Sequence, residues 1–183
     1  MTYEIHHGNP NDSTRDAHEC ETYALLDSLG IEYDRVDHEA AFTIEACAAI
    51  DESFGTPMCK NLFLRNSNGS AFYLLLMPGE KPFKTKELSH QIGSTRLSFA
   101  DEEHMQSLLG VTPGSVTVLG LAYDQEMNVQ LLIDEDVIRD EYICCHPCKN
   151  TSSIKIRTAD ILEKFLPAVR HTPRTVKLKG FVE

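Results

Sequence analysis

A chain of 183 residues with 42% apolar side chains is long enough to bury a sizeable core and short enough to do so as one domain. No apolar run approaches the ~20 residues of a membrane helix, Met1 to Asp16 holds no apolar signal segment, and the six cysteines of a chain without export signals read as reduced thiols in the cytoplasm. The net charge of −11 argues against a general nucleic-acid binder, but the charge is blocked. Residues 1–59 carry 13 acids against Arg15 and Arg35, and 97–148 carry ten acids against Arg139. Between them, Lys60, Arg65, Lys81, Lys84, Lys86 and Arg96 face two acids, and 149–179 hold eight bases against two acids. If the basic blocks meet in space they form a local phosphate-binding patch on a repelling body; otherwise they are solvated faces.

In chain order, residues 1–12 read as a loose N-terminal tail with turn chemistry at Gly8-Asn9-Pro10-Asn11, ahead of one domain over 13–183. Ser13 with Asp16 opens an amphipathic helix to Leu29, its apolar side Ala17, Cys20, Ala24, Leu25 and Leu29, stopped by Gly30. Ile31–Val36 is a short strand, and Thr43 opens a second helix through Ile44, Cys47, Ala48 and Ile50. The apolar runs Leu62–Leu64 and Ala71–Met77 around Asn66-Ser67-Asn68-Gly69 predict a hairpin of central strands covered on both faces. Helices follow at Thr85–Ile92 and Asp101–Leu109, ended by Gly93 and Gly110. A second hairpin is expected from Val116–Ala122 and Val129–Ile133, with Tyr142–Cys145 and Ile154–Ile156 completing the sheet. Thr158 is expected to cap a helix through Ile161, Leu162, Phe165 and Leu166, and Thr175–Leu178 to form a last strand. The fold class is α+β: one domain, with a mixed, mostly antiparallel central sheet and peripheral helices.

Polar groups can converge at few places. Cys145 and Cys148 have CxxC spacing beside Cys144 and His146, but Cys20, Cys47 and Cys59 supply no second ligand pair for a structural zinc, and Pro147 is no helix start for a redox pair. No phosphate-binding glycine motif and no Gly-x-Ser-x-Gly elbow occur. Ser115 with His146 as its base has no evident third partner. Lys60 sits where a buried strand begins, either snorkelling to water or held as a point charge for a phosphate. His146, before Pro147, is either a satisfied structural histidine or a pocket group.

Several stretches together resemble a known family: Leu25 to Tyr33, Val36-Asp37-His38, Ala41-Phe42-Thr43, Cys59 to Arg65, Leu108 to Val116, and His146-Pro147 with Asn150-Thr151. On these the chain resembles the YbaK/aminoacyl-tRNA synthetase-associated domains, the editing-domain superfamily of bacterial prolyl-tRNA synthetase, and among them the free-standing Ala-tRNA(Pro) deacylases. The resemblance implies that Lys60 anchors the phosphate next to the terminal adenosine. It also implies that Gly114 and Ser115 form the catalytic loop with His146, and that Asn61, His38, Thr43, Val118, Asn150 and Thr151 contact substrate. The family loop is Gly-x-x-x-Pro, and here Val118 stands in place of the proline; Glu39 follows His38 where a proline is expected. No cofactor or metal is implied. The expected partner is the acceptor end of a mischarged tRNA, with prolyl-tRNA synthetase a candidate second partner and no membrane. Two other readings stay open: a deacylase for tRNA misacylated with Cys or Ser, and a non-catalytic module binding the tRNA end.

Overall fold

A computed structural model describes residues 2–40 and 44–181. It is α+β, with strands that divide between two sheets rather than joining one. The five-stranded sheet grows from the expected hairpin. Strands β3 (Lys60–Arg65) and β4 (Phe72–Met77) pair antiparallel from Lys60 opposite Met77 to Arg65 opposite Phe72, and Gly69 takes the left-handed turn position at φ 69°. Alternation puts Phe63, Leu74 and Leu76 in the main core and Leu64, Tyr73, Leu75 and Met77 in a second one, so the sheet is covered on both faces. Strand β5 (Ser98–Phe99) borders β3, while β6 (Val129–Asp134) and β9 (Arg174–Val176) extend the other edge in parallel.

The expected second hairpin does not form. Val118–Tyr123 is a 3₁₀ helix, and β6 pairs with β4 instead. Gly120 lies so close to the end of the Glu102–Leu109 helix that a Cβ there would stand 2.7 Å from the Leu109 carbonyl oxygen. The segment is therefore packed as a compact turn against a helix, a use of apolar residues that periodicity alone does not separate from a strand.

The four-stranded sheet, β1-β2-β8-β7, is antiparallel throughout, built from β1 (His6–His7), β2 (Tyr33–Asp37), β7 (Tyr142–Cys145) and β8 (Ser152–Arg157). The stretch expected as a loose tail thus contributes an edge strand, and the Tyr3 N–H also donates to Ser53 Oγ at 2.7 Å.

Helix α1 (Ala17–Ser28) is capped by Asp16, not Ser13, and buries Glu19, Thr22, Tyr23 and Leu26 instead of the alanine–cysteine side. The reason is ionic. Glu19 Oε1 takes bonds from Arg15 (2.9 Å), Tyr23 Oη (2.8 Å) and Ser152 Oγ (3.0 Å), so a charged residue occupies the inner face. In α2 (Ile44–Phe54), Ile50 and Phe54 are buried while Cys47 and Ala48 are exposed. Helices α3 (Thr85–Ile92) and α4 (Glu102–Leu109) end at left-handed Gly93 and Gly110 as expected. A short α5 (Glu135–Arg139) precedes β7. The last helical stretch runs through α6 (Thr158–Asp160), a π-helical segment (Ile161–Phe165) and α7 (Leu166–Ala168). Thr158 is its first helical residue rather than its cap, with Oγ1 buried and unpartnered among the described residues. The sheets meet where the Cys59 N–H donates to the Cys144 carbonyl at 3.1 Å, one residue before Lys60 and two before His146.

Candidate active site

That seam bond brings three separate stretches to one place. Lys60 opens β3, His146 follows β7, and the Thr112–Val116 loop descends from α4. Lys60, Gly114 and His146 line a single cavity of about 310 Å³, closed further by Cys59, Leu62 and Val116. Gly114, at φ 86°, adopts a conformation an L side chain resists, and the loop closes where the Ser115 N–H bonds Thr112 O at 3.0 Å. Asn61 fastens this loop to the strand: its Oδ1 accepts the Val118 N–H at 2.9 Å.

Lys60 donates to the Lys81 carbonyl at 2.5 Å, leaving two of the three ammonium donors for an anion. It makes no ion pair among the described residues. The nearby Lys81, in contrast, is saturated by Asp134 (2.8 Å), Asp136 (2.7 Å) and the Leu178 carbonyl (2.8 Å), and these partners hold its pKa above the ordinary value although burial opposes them.

His146 has a defined tautomer. A carbonyl can only accept, so Nδ1 carries the proton it donates to Ser152 O at 2.8 Å, and Nε2 remains as an acceptor. Burial lowers its pKa below the imidazole norm; the Ser152 bond opposes this and the neighbouring His38 adds to it. The ring is therefore neutral at neutral pH. Behind it, Ser153 Oγ lies 2.8 Å from His38 Nε2 and 3.3 Å from His146 Nδ1, while His38 Nδ1 meets Glu39 O at 2.7 Å.

Other expected site residues stand elsewhere. His38 is buried behind His146 and positions it rather than lining the cavity. Ser115 is fully buried, and its Oγ has no partner among the described residues and no place in the cavity wall, so it is not a nucleophile in this arrangement. Val118 belongs to the core, and Val116 is the loop valine on the cavity. Asn150 and Thr151 form the turn between β7 and β8 outside the wall, where the Thr151 carbonyl accepts the His38 N–H at 3.0 Å. Thr43 lies outside the described residues. Sequence reasoning misses Ser152 and Ser153, whose signal is two adjacent hydroxyls heading a strand of alternating isoleucines and cations, and it misses Cys59 as a wall residue.

The cysteines do not converge on chemistry. Burial pushes the Cys59 and Cys148 thiols up to about 12 and raises Cys144 and Cys145 too, which suppresses thiolate. No group of three potential metal ligands occurs among the described residues.

The class of protein is set by the family comparison: residues 38–164 match the model of the aminoacyl-tRNA editing domain, and the chain belongs to that family. Among its relatives, the prolyl-tRNA editing protein ProX of Acetoanaerobium sticklandii is 33% identical over 155 residues, covering 85% of this chain and 94% of that protein. The prolyl-tRNA synthetase associated domain-containing protein 1 of Danio rerio is 32% identical over 151 residues, 81% of each chain. A crystal structure described as a candidate trans-editing enzyme for prolyl tRNA synthetase superposes with a TM-score of 0.65 at 15% identity, over 90% of this chain and 99% of that one, a likeness of fold.

Proposed function

We propose that this protein is a trans-editing hydrolase that cleaves the ester of mischarged Ala-tRNA(Pro), acting in the cytoplasm beside prolyl-tRNA synthetase. One observation carries the reading: Lys60, Gly114 and His146 share the wall of a single small cavity. The names of the two relatives favour a prolyl-tRNA substrate.

The reaction asks little of the protein. An aminoacyl ester is already reactive, and the neighbouring ribose 2′-hydroxyl can assist, so placement supplies most of the rate. Lys60 binds the phosphate next to the terminal adenosine through its free N–H donors. Gly114, without a side chain, lets the ester carbonyl approach the loop backbone. His146 Nε2 accepts a hydrogen bond from the attacking water or the 2′-hydroxyl. Water adds to the carbonyl carbon, the C–O bond to the ribose breaks, and alanine leaves with a free tRNA 3′ end. Neither covalent route competes: Ser115 is buried away from the cavity and the Cys59 thiol stays protonated. A small pocket favours a methyl side chain over the proline ring, the size logic of a second sieve.

The test is a deacylation panel with Ala-, Cys-, Ser- and Pro-tRNA(Pro). The wild type should clear the alanyl ester and spare the prolyl one. Lys60→Ala should lose about 10- to 100-fold in kcat/KM, the worth of a charge-assisted hydrogen bond. Intact Ala-tRNA(Pro) at micromolar enzyme would refute the proposal, and faster clearance of the cysteinyl or seryl ester would reassign the amino acid.

A further inference from the structure

Beside the cavity lies a second concavity that the reaction does not use. It is an open groove of about 480 Å³ between α3 and β5, with Leu62, Phe83 and Phe99 as floor and walls and Lys84 and Lys86 along its rim. It shares Lys60 and Leu62 with the first cavity, so the two adjoin at those residues. Phe99 is 59% exposed on a two-residue edge strand and meets Phe83 edge-on, ring centroids 6.2 Å apart. Phe99 therefore stands in one apolar strip with Phe83 and Leu62 rather than as an isolated surface residue. Both rim lysines are exposed, and neither makes an ion pair among the described residues. The second basic block packs against α3 outside the groove: Gln91 donates to the Lys177 carbonyl at 2.8 Å, and Glu87 accepts the Lys179 and Gly180 N–H groups.

We propose that this groove binds the single-stranded nucleotides just upstream of the terminal adenosine, with a base stacked on Phe99 and phosphates on Lys84 and Lys86. The inference rests on the editing reading above, which puts the terminal adenosine ester at the first cavity and its phosphate on Lys60. The chain of nucleotides must then leave past Lys60, and the groove is the path that shares that residue. An exposed aromatic face flanked by unpaired cations is the chemistry that holds unstacked bases and their backbone. The acidic remainder of the protein, at net −11 overall, repels a polyanion elsewhere and favours a track confined to this strip.

The experiment does not depend on turnover. A short single-stranded RNA with the acceptor-end sequence carries 2-aminopurine immediately before the terminal adenosine, and its fluorescence is titrated with the full-length protein. Wild type should quench the probe as the base stacks. Phe99→Ala should abolish the quenching and weaken binding by about 10-fold, and Phe99→Trp should restore both. The double variant K84E/K86E should flatten the dependence of log affinity on log salt by about 0.7 for each phosphate no longer neutralised. Thermal melts would show that these surface variants remain folded. An unquenched probe with wild type, or quenching unchanged in Phe99→Ala, overturns the proposal. So does a Phe99-dependent dimer in sedimentation without quenching, which would give the groove to a second copy. Stacking at Phe99 without hydrolysis of any mischarged tRNA would sink the editing reaction while leaving the groove. Hydrolysis without stacking would do the reverse.

Discussion

Replacing Asn61 with alanine tests how the loop is held. Asn61 Oδ1 is the acceptor for the Val118 N–H at 2.9 Å, and Val118 is fully buried. Alanine leaves that N–H without its acceptor at a partly buried position beside the cavity. An orphaned buried donor costs about 1–3 kcal/mol, or about 3–9 °C in Tm for a domain of this size. The loop bearing Gly114 loses its tether to the strand bearing Lys60, and a displacement of about 1 Å there costs on the order of 100-fold in rate. Asn61→Asp separates the two roles of the residue. Its carboxylate still accepts the N–H, so Tm should stay near wild type, but a negative charge beside Lys60 should raise KM for tRNA. Urea unfolding and single-turnover deacylation of Ala-tRNA(Pro) read both quantities. If Asn61→Ala melts and turns over like wild type, the clamp is not what positions the loop.

Four further outcomes follow from the same geometry. His146→Asn keeps a side-chain N–H for the Ser152 carbonyl but lacks the Nε2 acceptor, so it should fold normally and lose most of its activity. Because burial lowers the folded-state pKa of His146 below the ordinary 6.5, the unfolded chain takes up the proton first as pH falls. Wild-type stability should therefore decline below about pH 6.5 and level off under the folded-state value, and pH-dependent urea midpoints should show a shallower decline in His146→Asn. Arg15→Ala removes the paired bonds to Asp37 (2.8 and 2.9 Å) and the bond to Glu19. Breaking a buried ion pair costs several kcal/mol, but Asp37 is 36% exposed, so after screening about 2 kcal/mol is expected in urea unfolding, only partly recovered by Arg15→Lys. Cys59→Ala should retain deacylation within about threefold, because the thiol serves as wall and a protonated thiol is a poor nucleophile; loss of the reaction in this variant would point to covalent catalysis.

Local signals carry much of the fold. Asn66-Ser67-Asn68-Gly69 set the β3–β4 hairpin, and Gly93 and Gly110 end α3 and α4 where glycine is needed for a left-handed residue. What the sequence hides is non-local. Val116 to Ala122 has strand-like composition, yet its neighbour in space is the end of α4, and only the close approach of Gly120 to Leu109 makes it a compact turn. The inner face of α1 escapes periodicity because Glu19 is buried with Arg15, a pairing across which no such rule sees. At the site, Lys60, Gly114 and His146 are legible and stand together. The Gly-x-x-x-Pro pattern of the resemblance suggests Ser115 and Val118 as site residues, but both side chains are buried in the interior. Two sheets in place of one could not be read from strand patterns, since each strand looks alike whichever partner it finds.

The junction between those sheets has a consequence for how such pockets diversify. One jaw, with Lys60, belongs to the five-stranded layer; the other, with His146, hangs from the four-stranded layer; the Cys59 N–H to Cys144 carbonyl hydrogen bond joins them at the seam, and one shared core sets their relative tilt. A degree or two of change in that tilt would widen or narrow the gap without exchanging any residue that faces it. Substitutions in the distant packing layers can thus retune which acyl group is admitted, and two homologues with identical jaws need not share a preference.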